Sequence, residues 1–399
     1  MSELKVNSIK GVGASSAAIS VDNSSGSATA NLTTVNSVVM PNGGFLSNRN
    51  LIINGAMQVA QRGTSSTSTG YQTVDRFKPY FTNTGNTVTQ AQVDVASGTT
   101  PYTSGFRKAL KMSMSGAGTV NANTELYVQY RMEAQDLANS GWNYTSSSSN
   151  ITISFWVKAS TNQTFYVRLF AADTGNQTYV FSYTASGNDT WTKITKTIPG
   201  NSNLVINNDT GYGLSIIFYQ FMGTDNTASR DLDTWANVSG NGTPDQASTW
   251  YAAGASTWEI TGLQVEVGSV ATDFEHRSFG QELHLCKRYY EVLVSGSSGI
   301  TWGGTAVMHT SGSPMHVCNW VEKRATPTLE FEEGSGYYRY YSNDTYISAN
   351  RPSSLSYATK ISGIINTDSS LTSGNLVAGG AAWSYTMNAN AYIAVSAEL

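Results

Sequence analysis

The sequence predicts an all-β protein: an amino-terminal oligomerising strand segment, a jelly-roll sandwich, a short connecting helix and a small β tip domain. Three observations carry that expectation. Charged residues are only 13% of the 399, hydrophobic residues are 40%, and there are 37 Gly. The chain therefore lacks the Lys, Glu and Arg that fill exposed helix faces. Its Ser, Thr and Asn instead suit outward strand positions and turns. Second, apolar and polar side chains alternate with a period of two in run after run, with turn residues between the runs. Third, a single stretch follows helical spacing.

Residues 1 to 47 form a region of their own. Leu4, Val6 and Ile9, then Ile19 and Val21, then Leu32 and Val35 recur with strand-like spacing between Gly, Asn and Ser. One copy offers too little apolar surface for a core. The segment either stays disordered or buries these positions against copies of itself or a partner, and the recurring spacing favours the second.

Residues 48 to 276 carry the densest strand signal. Leu110, Met112 and Met114 share one face, as do Leu126, Val128, Tyr130 and Met132, and then Ile151, Ile153, Phe155 and Val157. Phe165, Val167 and Leu169 follow, then Tyr179, Phe181 and Tyr183, then Tyr212, Leu214, Ile216 and Phe218. In "STWEITGLQVEV", Trp258 and Ile260 are in phase, whereas Leu263, Val265 and Val267 are shifted by one residue. Gly262 sits at the break, where a bulge would restore the buried face. Roughly ten strands result, enough for a jelly roll.

At residues 277 to 293 helical spacing replaces alternation. Phe279, Leu283, Cys286 and Tyr290 lie at i, i+4, i+7 and i+11, and Ser278 with Gln281 reads as a capping box. Charges gather here, with Asp273, Glu275, His276, Arg277, Glu282, His284, Lys287, Arg288 and Glu291 within about twenty residues. Residues 294 to 399 return to strands and have the length of a small β domain.

At this junction the chain resembles the tail fibres and receptor-binding tail proteins of bacteriophages. "NLIINGAMQVAQRGTS" with "DRFKPY" looks like the entry to the carbohydrate-binding-type jelly roll of many such fibres. "LQVEVGSVATDFEHRSFGQELHLCKRYYE" is similar to the last strand of that module and its following helix. "KRATPTLEF" resembles the strand that opens the terminal tip, and "SELKVNSIKG" resembles virion-anchoring starts in marine podovirus fibres. The resemblance covers most of residues 48 to 330. It implies a homotrimer in the virion, anchored to phage tail proteins by its amino terminus and contacting a host-surface polysaccharide distally. In such a trimer Arg277, Glu282, Lys287, Arg288 and Glu291 would pair between neighbouring chains, fixing register more than adding stability.

Composition narrows the chemistry. A net charge of −4 with 23 basic residues gives no electrostatic footprint for nucleic acid. No run is apolar enough to insert in a membrane, and the amino terminus has no secretory core, so synthesis in a host cytoplasm is expected. Cys286 and Cys318 suit two buried thiols better than a disulfide, and their spacing fits no zinc site. His276, His284, His309 and His316 lack metal-ligand spacing, and Asp231 with Asp233 lacks the order of a calcium loop. Glu125 with Glu133 and Glu259 with Glu266 are the carboxylate pairs a glycosidase would need, but Glu259 alternates outward, where a solvated carboxylate is ordinary. The expectation is a binder without cofactor or metal, not an enzyme.

Sugars stack their C–H faces on aromatic rings, so rings in polar loops are candidate ligand contacts. Trp142 and Tyr144 lie in "NSGWNYTSSSSN", and Trp235, Trp250 and Tyr251 in an irregular insertion of about thirty residues. Trp250 and Tyr251 read equally well as plugs folded back onto the sandwich. In the tip, Tyr337, Tyr338, Tyr340 and Tyr341 surround Arg339, and two of them must face outward if the strand is regular. Tyr338 and Tyr340 complete the set of candidate glycan contacts. A virion decoration protein without receptor contact and a polysaccharide-degrading fibre are the alternative functions.

Overall fold

The structure, a computed structural model, describes residues 48–173, 175–238, 240, 242–296, 300–310, 313–342, 345–349, 351–367 and 378–399, with five short strands before residue 48. Ser8–Ile9, Ile19–Val21 and Ala28–Ala30 form a small antiparallel meander, and Thr34–Val35 pairs with Val38–Val39. What these strands pack against, and with it the expected oligomerising or anchoring role of residues 1 to 47, lies outside the described residues.

Two six-stranded antiparallel sheets make the sandwich. One runs Trp235–Asn237, Gln177–Ala185, Gln163–Ala171, Tyr212–Met222, Glu125–Glu133, Phe77–Thr82. The other runs Thr192–Pro199, Asn150–Ala159, Thr257–Val267, Lys108–Met114, Val88–Asp94, Ser65–Ser66. The alternation places the core as the sequence predicts. Leu110, Val128, Ile153, Phe155, Val167, Phe181, Ile216 and Leu263 all lie in one buried cluster between the sheets. Each such side chain contributes about 1.5–3 kcal/mol on burial. Tyr212 is the exception: pairing shifts between Met132 and Glu133, and its ring stays half-exposed under the guanidinium of Arg131.

The predicted bulge is present. Ser154 pairs with Gln264 and Trp156 with Thr261, so Gly262 and Leu263 together face Phe155. Gly262 has φ +64, and a Cβ there would lie 2.6 Å from the Phe106 ring. Beyond the bulge the entry segment takes over as neighbour of this strand, with Leu51 N–H donating to Val265 O and Leu263 N–H to Gly55 O, both at 2.9 Å.

The helix Phe279–Lys287 begins with the predicted capping box. Its buried stripe differs from the expected one. Glu282 and Cys286 are buried, followed by Tyr289 and Tyr290, whereas Phe279 is 55% exposed. Cys286 and Cys318 are buried free thiols. The tip starts inside the expected connector, because Tyr290–Ser295 pairs with Tyr392–Ser396 and joins Thr328–Phe331 in a three-stranded sheet. A seven-stranded sheet runs Thr345–Ala349, Tyr338–Ser342, Ala381–Thr386, Ile300–Thr310, Ser313–Asn319, Ser362–Thr367, Pro352–Ser356. Trp320, Tyr338, Tyr340, Ile365 and Ile393 lie in the tip's core.

Within the chain, the residues expected to pair between neighbouring chains already have partners. Arg277 donates to Ile52 O at 3.0 Å and to Asn50 O, and it lies 3.5 Å from Glu282. Glu282 accepts from Asn54 N–H. Arg288 grips Glu133 at 2.7 and 2.9 Å. Glu291 takes Lys323 at 2.7 Å and Lys287 at 3.4 Å. The physical reason is burial. Asn50 and Asn54 carry backbone N–H and C=O groups that no strand partner fully satisfies, and charged side chains reach in to satisfy them. Glu133 and Lys323 are desolvated and each requires its counter-charge.

Candidate functional site

Six of the seven candidate rings are core residues, which corrects the binding role read for them. Trp250 and Tyr251 are fully buried, Trp142 is 3% and Trp235 9% exposed, and Tyr338 and Tyr340 are fully buried. Tyr144 is half-buried and packs on the sandwich core. Each buried ring has found a partner for its polar atom, as buried Trp and Tyr require. Trp250 Nε1 donates to Thr257 O at 2.8 Å, Trp235 Nε1 to Pro199 O at 2.7 Å, and Tyr251 OH to Thr84 O at 2.7 Å. Tyr251 also stacks on Phe221, with centroids 4.2 Å apart. Loops rich in Ser, Thr and Asn have few apolar groups with which to seal the ends of the sandwich, so their rings turn inward.

The outer face of the first sheet carries the rings that remain available. Tyr127 pairs in register with Tyr80 on one side and Tyr219 on the other, and Tyr219 pairs with Tyr166. Four tyrosines thus form one row across four adjacent strands, about 14 Å long at the usual strand spacing. Tyr80 and Tyr127 stack with centroids 5.1 Å apart, and Tyr127 meets Tyr219 edge-on at 5.7 Å. Tyr80, Tyr127 and Tyr166 are half-buried, and Tyr219 is buried between its neighbours. The signal was present in the alternation: if Leu126, Val128, Phe165, Val167 and Phe218 point inward, Tyr127, Tyr166 and Tyr219 point out.

Polar side chains flank the row in register. Lys78, Gln129, Ile217 and Arg168 form the next row, and Glu125 stands on the other side, opposite Met222. Desolvation raises the Tyr127 hydroxyl pKa, with Glu125 adding to the shift, and desolvation likewise raises Glu125 and lowers Lys78. Charges at this face are therefore partly stripped of water, which strengthens any hydrogen bond they make to a ligand. A bulge adjoins the row: Leu126 pairs with Phe221 and Tyr127 with Tyr219, leaving Gln220 unmatched. The long insertion borders the face. Gly242 lies so close over Arg168 that a Cβ would sit 2.4 Å from Nη1, and Arg168 donates to Gly240 O at 3.4 Å and to Thr178 Oγ1 at 3.1 Å.

The tip presents a second aromatic face, in the phase opposite to Tyr338 and Tyr340. Tyr346 is 63% and Trp383 68% exposed, Tyr341 pairs with both, and Arg339 lies 5.7 Å from the Tyr346 ring. Val307 and Val317 are also exposed.

Of the carboxylates weighed for catalysis, Glu125 borders the row and the others lie elsewhere. Glu133 is held by Arg288. Glu259, expected to be solvated, is 4% exposed between Lys158 at 3.0 Å and Lys111 at 3.7 Å. Glu266 accepts from Thr272 N–H at 2.8 Å and from its hydroxyl at 2.6 Å. Asp233 pairs with Lys196 at 2.6 Å. Among the described residues, no three His, Cys, Asp or Glu side chains gather as a metal site, and no helix is long and apolar enough to cross a membrane.

No family model matches the chain, and no curated protein matches it. Among solved structures it is similar to the enzymatically active domain of tailspike protein 4 of bacteriophage CBA120, at 10% identity and TM-score 0.29, covering 55% of this chain and 21% of that one. It is also similar to the family 11 carbohydrate-binding module of Clostridium thermocellum, at 13% identity and TM-score 0.25, covering 53% and 98%. A third similar structure is the tripod from the baseplate of bacteriophage Tuc2009, at 11% identity and TM-score 0.24, covering 86% and 90%.

Proposed function

We propose that the chain is a bacteriophage tail fibre protein, a non-enzymatic homotrimer of the virion that recognises its host by binding surface glycan along the tyrosine row. The observation that carries this reading is the register of Tyr80, Tyr127, Tyr219 and Tyr166. The half-buried rings of Tyr80, Tyr127 and Tyr166, in line with the buried Tyr219, offer stacking faces to successive sugars, and Lys78, Gln129 and Glu125 stand within reach for hydroxyls. Isolated exposed rings would need no explanation, but a continuous aromatic row rimmed by polar groups is the pattern of an interaction surface. The sequence resemblance to phage tail proteins supports the virion setting. Binding without cleavage is supported by Glu133, Glu259 and Glu266, each already engaged by a cation or by hydrogen bonds.

The homotrimer belongs to the same proposal. Val307, Val317, Tyr346 and Trp383 form the exposed apolar surface that association would bury. Purified full-length chain should block adsorption of the phage to its host and release no reducing sugar from host envelopes. Its sedimentation mass should be three times 42.8 kDa. A chain that leaves adsorption untouched overturns the recognition role, and one that releases sugar overturns the non-enzymatic role.

A further inference from the structure

A concavity lies on the other sheet of the sandwich, away from the tyrosine row. It has a volume of about 330 Å3, with Ser154, Trp156 and the bulge at Gly262 among its lining, between the 103–106 turn and the 272–276 loop. The bulge permits this shape, because only a residue without Cβ lets the Phe106 ring lie over the strand at this point. Phe155 and Val157 point into the core, so Trp156 between them points outward, and it stays half-buried against the cluster around Phe106.

Polar groups remain available here. Lys193 is directly opposite Trp156 and exposed, and it has no carboxylate partner among the described residues. Its neighbours do: Lys196 pairs with Asp233 at 2.6 Å and Lys158 with Glu259 at 3.0 Å. His276 Nε2 lies 2.9 Å from Ser104 O. A carbonyl can only accept, so Nε2 carries the proton, and Nδ1 is the acceptor of that tautomer. The Asp273 side chain is exposed and lines the same cavity.

We infer that this cavity binds a single acidic sugar residue, of the hexuronic acid class. The Trp156 ring takes the C–H face, the Lys193 ammonium takes the carboxylate, and Asp273 and His276 Nδ1 accept from hydroxyls. A cation with no ion-pair partner among the described residues, beside the outward face of a half-buried indole, suits an anion with an apolar face, and the volume holds one such unit, near the lower end of small-ligand sites. The site is independent of the tyrosine row, and so is its test.

Calorimetric titration of the full-length protein with methyl glucuronide and with methyl glucoside tests it. The glucuronide is expected to bind about tenfold more tightly than the glucoside, the increment of one charge-assisted contact, and to weaken with added salt. Lys193→Met should abolish that preference without altering glucoside binding. Trp156→Leu should weaken both. Lys193 is exposed, so its variant tests the inference even if Trp156→Leu fails to fold. Equal affinity for the two glycosides, no effect of Lys193→Met, or no binding of either sugar would each overturn it. Loss of both on Tyr127→Ala would place the site on the row instead.

Discussion

Arg76 Nη1 donates to the Glu398 carboxylate at 2.7 Å, joining the turn before the sandwich strand Phe77–Thr82 to the penultimate residue of the chain. Arg76 is 1% exposed and lies flat on the Tyr289 ring at 3.3 Å, and its Nη2 donates to Arg131 O at 2.7 Å. Arg62 reaches the same carboxylate at 3.2 Å. Arg324 holds Ala397 O and Glu398 O, each at 2.6 Å, and Thr210 O at 2.9 Å. Sandwich and tip are thus clamped by arginines whose partners lie up to several hundred residues away in sequence.

Glu398→Ala should therefore destabilise far beyond an exposed terminal change. It leaves Arg76 charged and buried, and breaking such a pair costs about 3–5 kcal/mol. Calorimetry should show the tip melting ahead of the sandwich, where the parent melts as one unit. An unchanged single transition would show that the clamp carries no coupling.

Asp75 gives a pH dependence. Burial pushes its carboxyl up to about 6 from 3.8, against two hydrogen bonds from Gln61. A carboxyl raised in the folded state binds its proton more tightly there than when unfolded. Stability from this group is therefore full below pH 3.8 and declines as pH rises to about 6, with a loss of about 2 to 3 kcal/mol. Urea unfolding across that window, compared with Asp75→Asn, isolates it. Parallel pH profiles for the two proteins would contradict the assignment.

Trp250→Ala should behave as a core mutation. The ring is fully buried and meets Phe165 edge-on at 6.1 Å. Truncation should cost about 3–5 kcal/mol in stability. Where the variant stays folded, its binding to host envelope should match the parent. Normal stability with lost binding would restore Trp250 as a ligand contact.

Legibility in the sequence followed the range of the interaction. Strand phase, the Gly262 bulge and the Ser278 cap are local patterns, and the structure repeats them. The direction of a loop ring is not local. Trp142 and Trp250 sit among Ser and Thr, which suits an exposed platform and a plug equally, and the choice depends on whether the sandwich end has another seal. The charges of residues 275 to 291 could be counted but not paired, because Asn50, Glu133 and Lys323 come from other parts of the chain. The tyrosine row was half-visible. Each outward Tyr follows from alternation, whereas their alignment depends on the register of strands drawn from four separate segments.

The most direct measurement is binding of the full-length chain to immobilised host surface polysaccharide, comparing the parent with Tyr127→Ala plus Tyr166→Ala. Both rings are half-exposed on the outer face, so the fold should persist, as circular dichroism would show. Losing two stacking faces should weaken each site about tenfold to a hundredfold, and multivalent attachment should amplify the loss. A folded double variant that no longer holds the polysaccharide is the predicted result. A double variant that binds as tightly as the parent would contradict the tyrosine row as the recognition site.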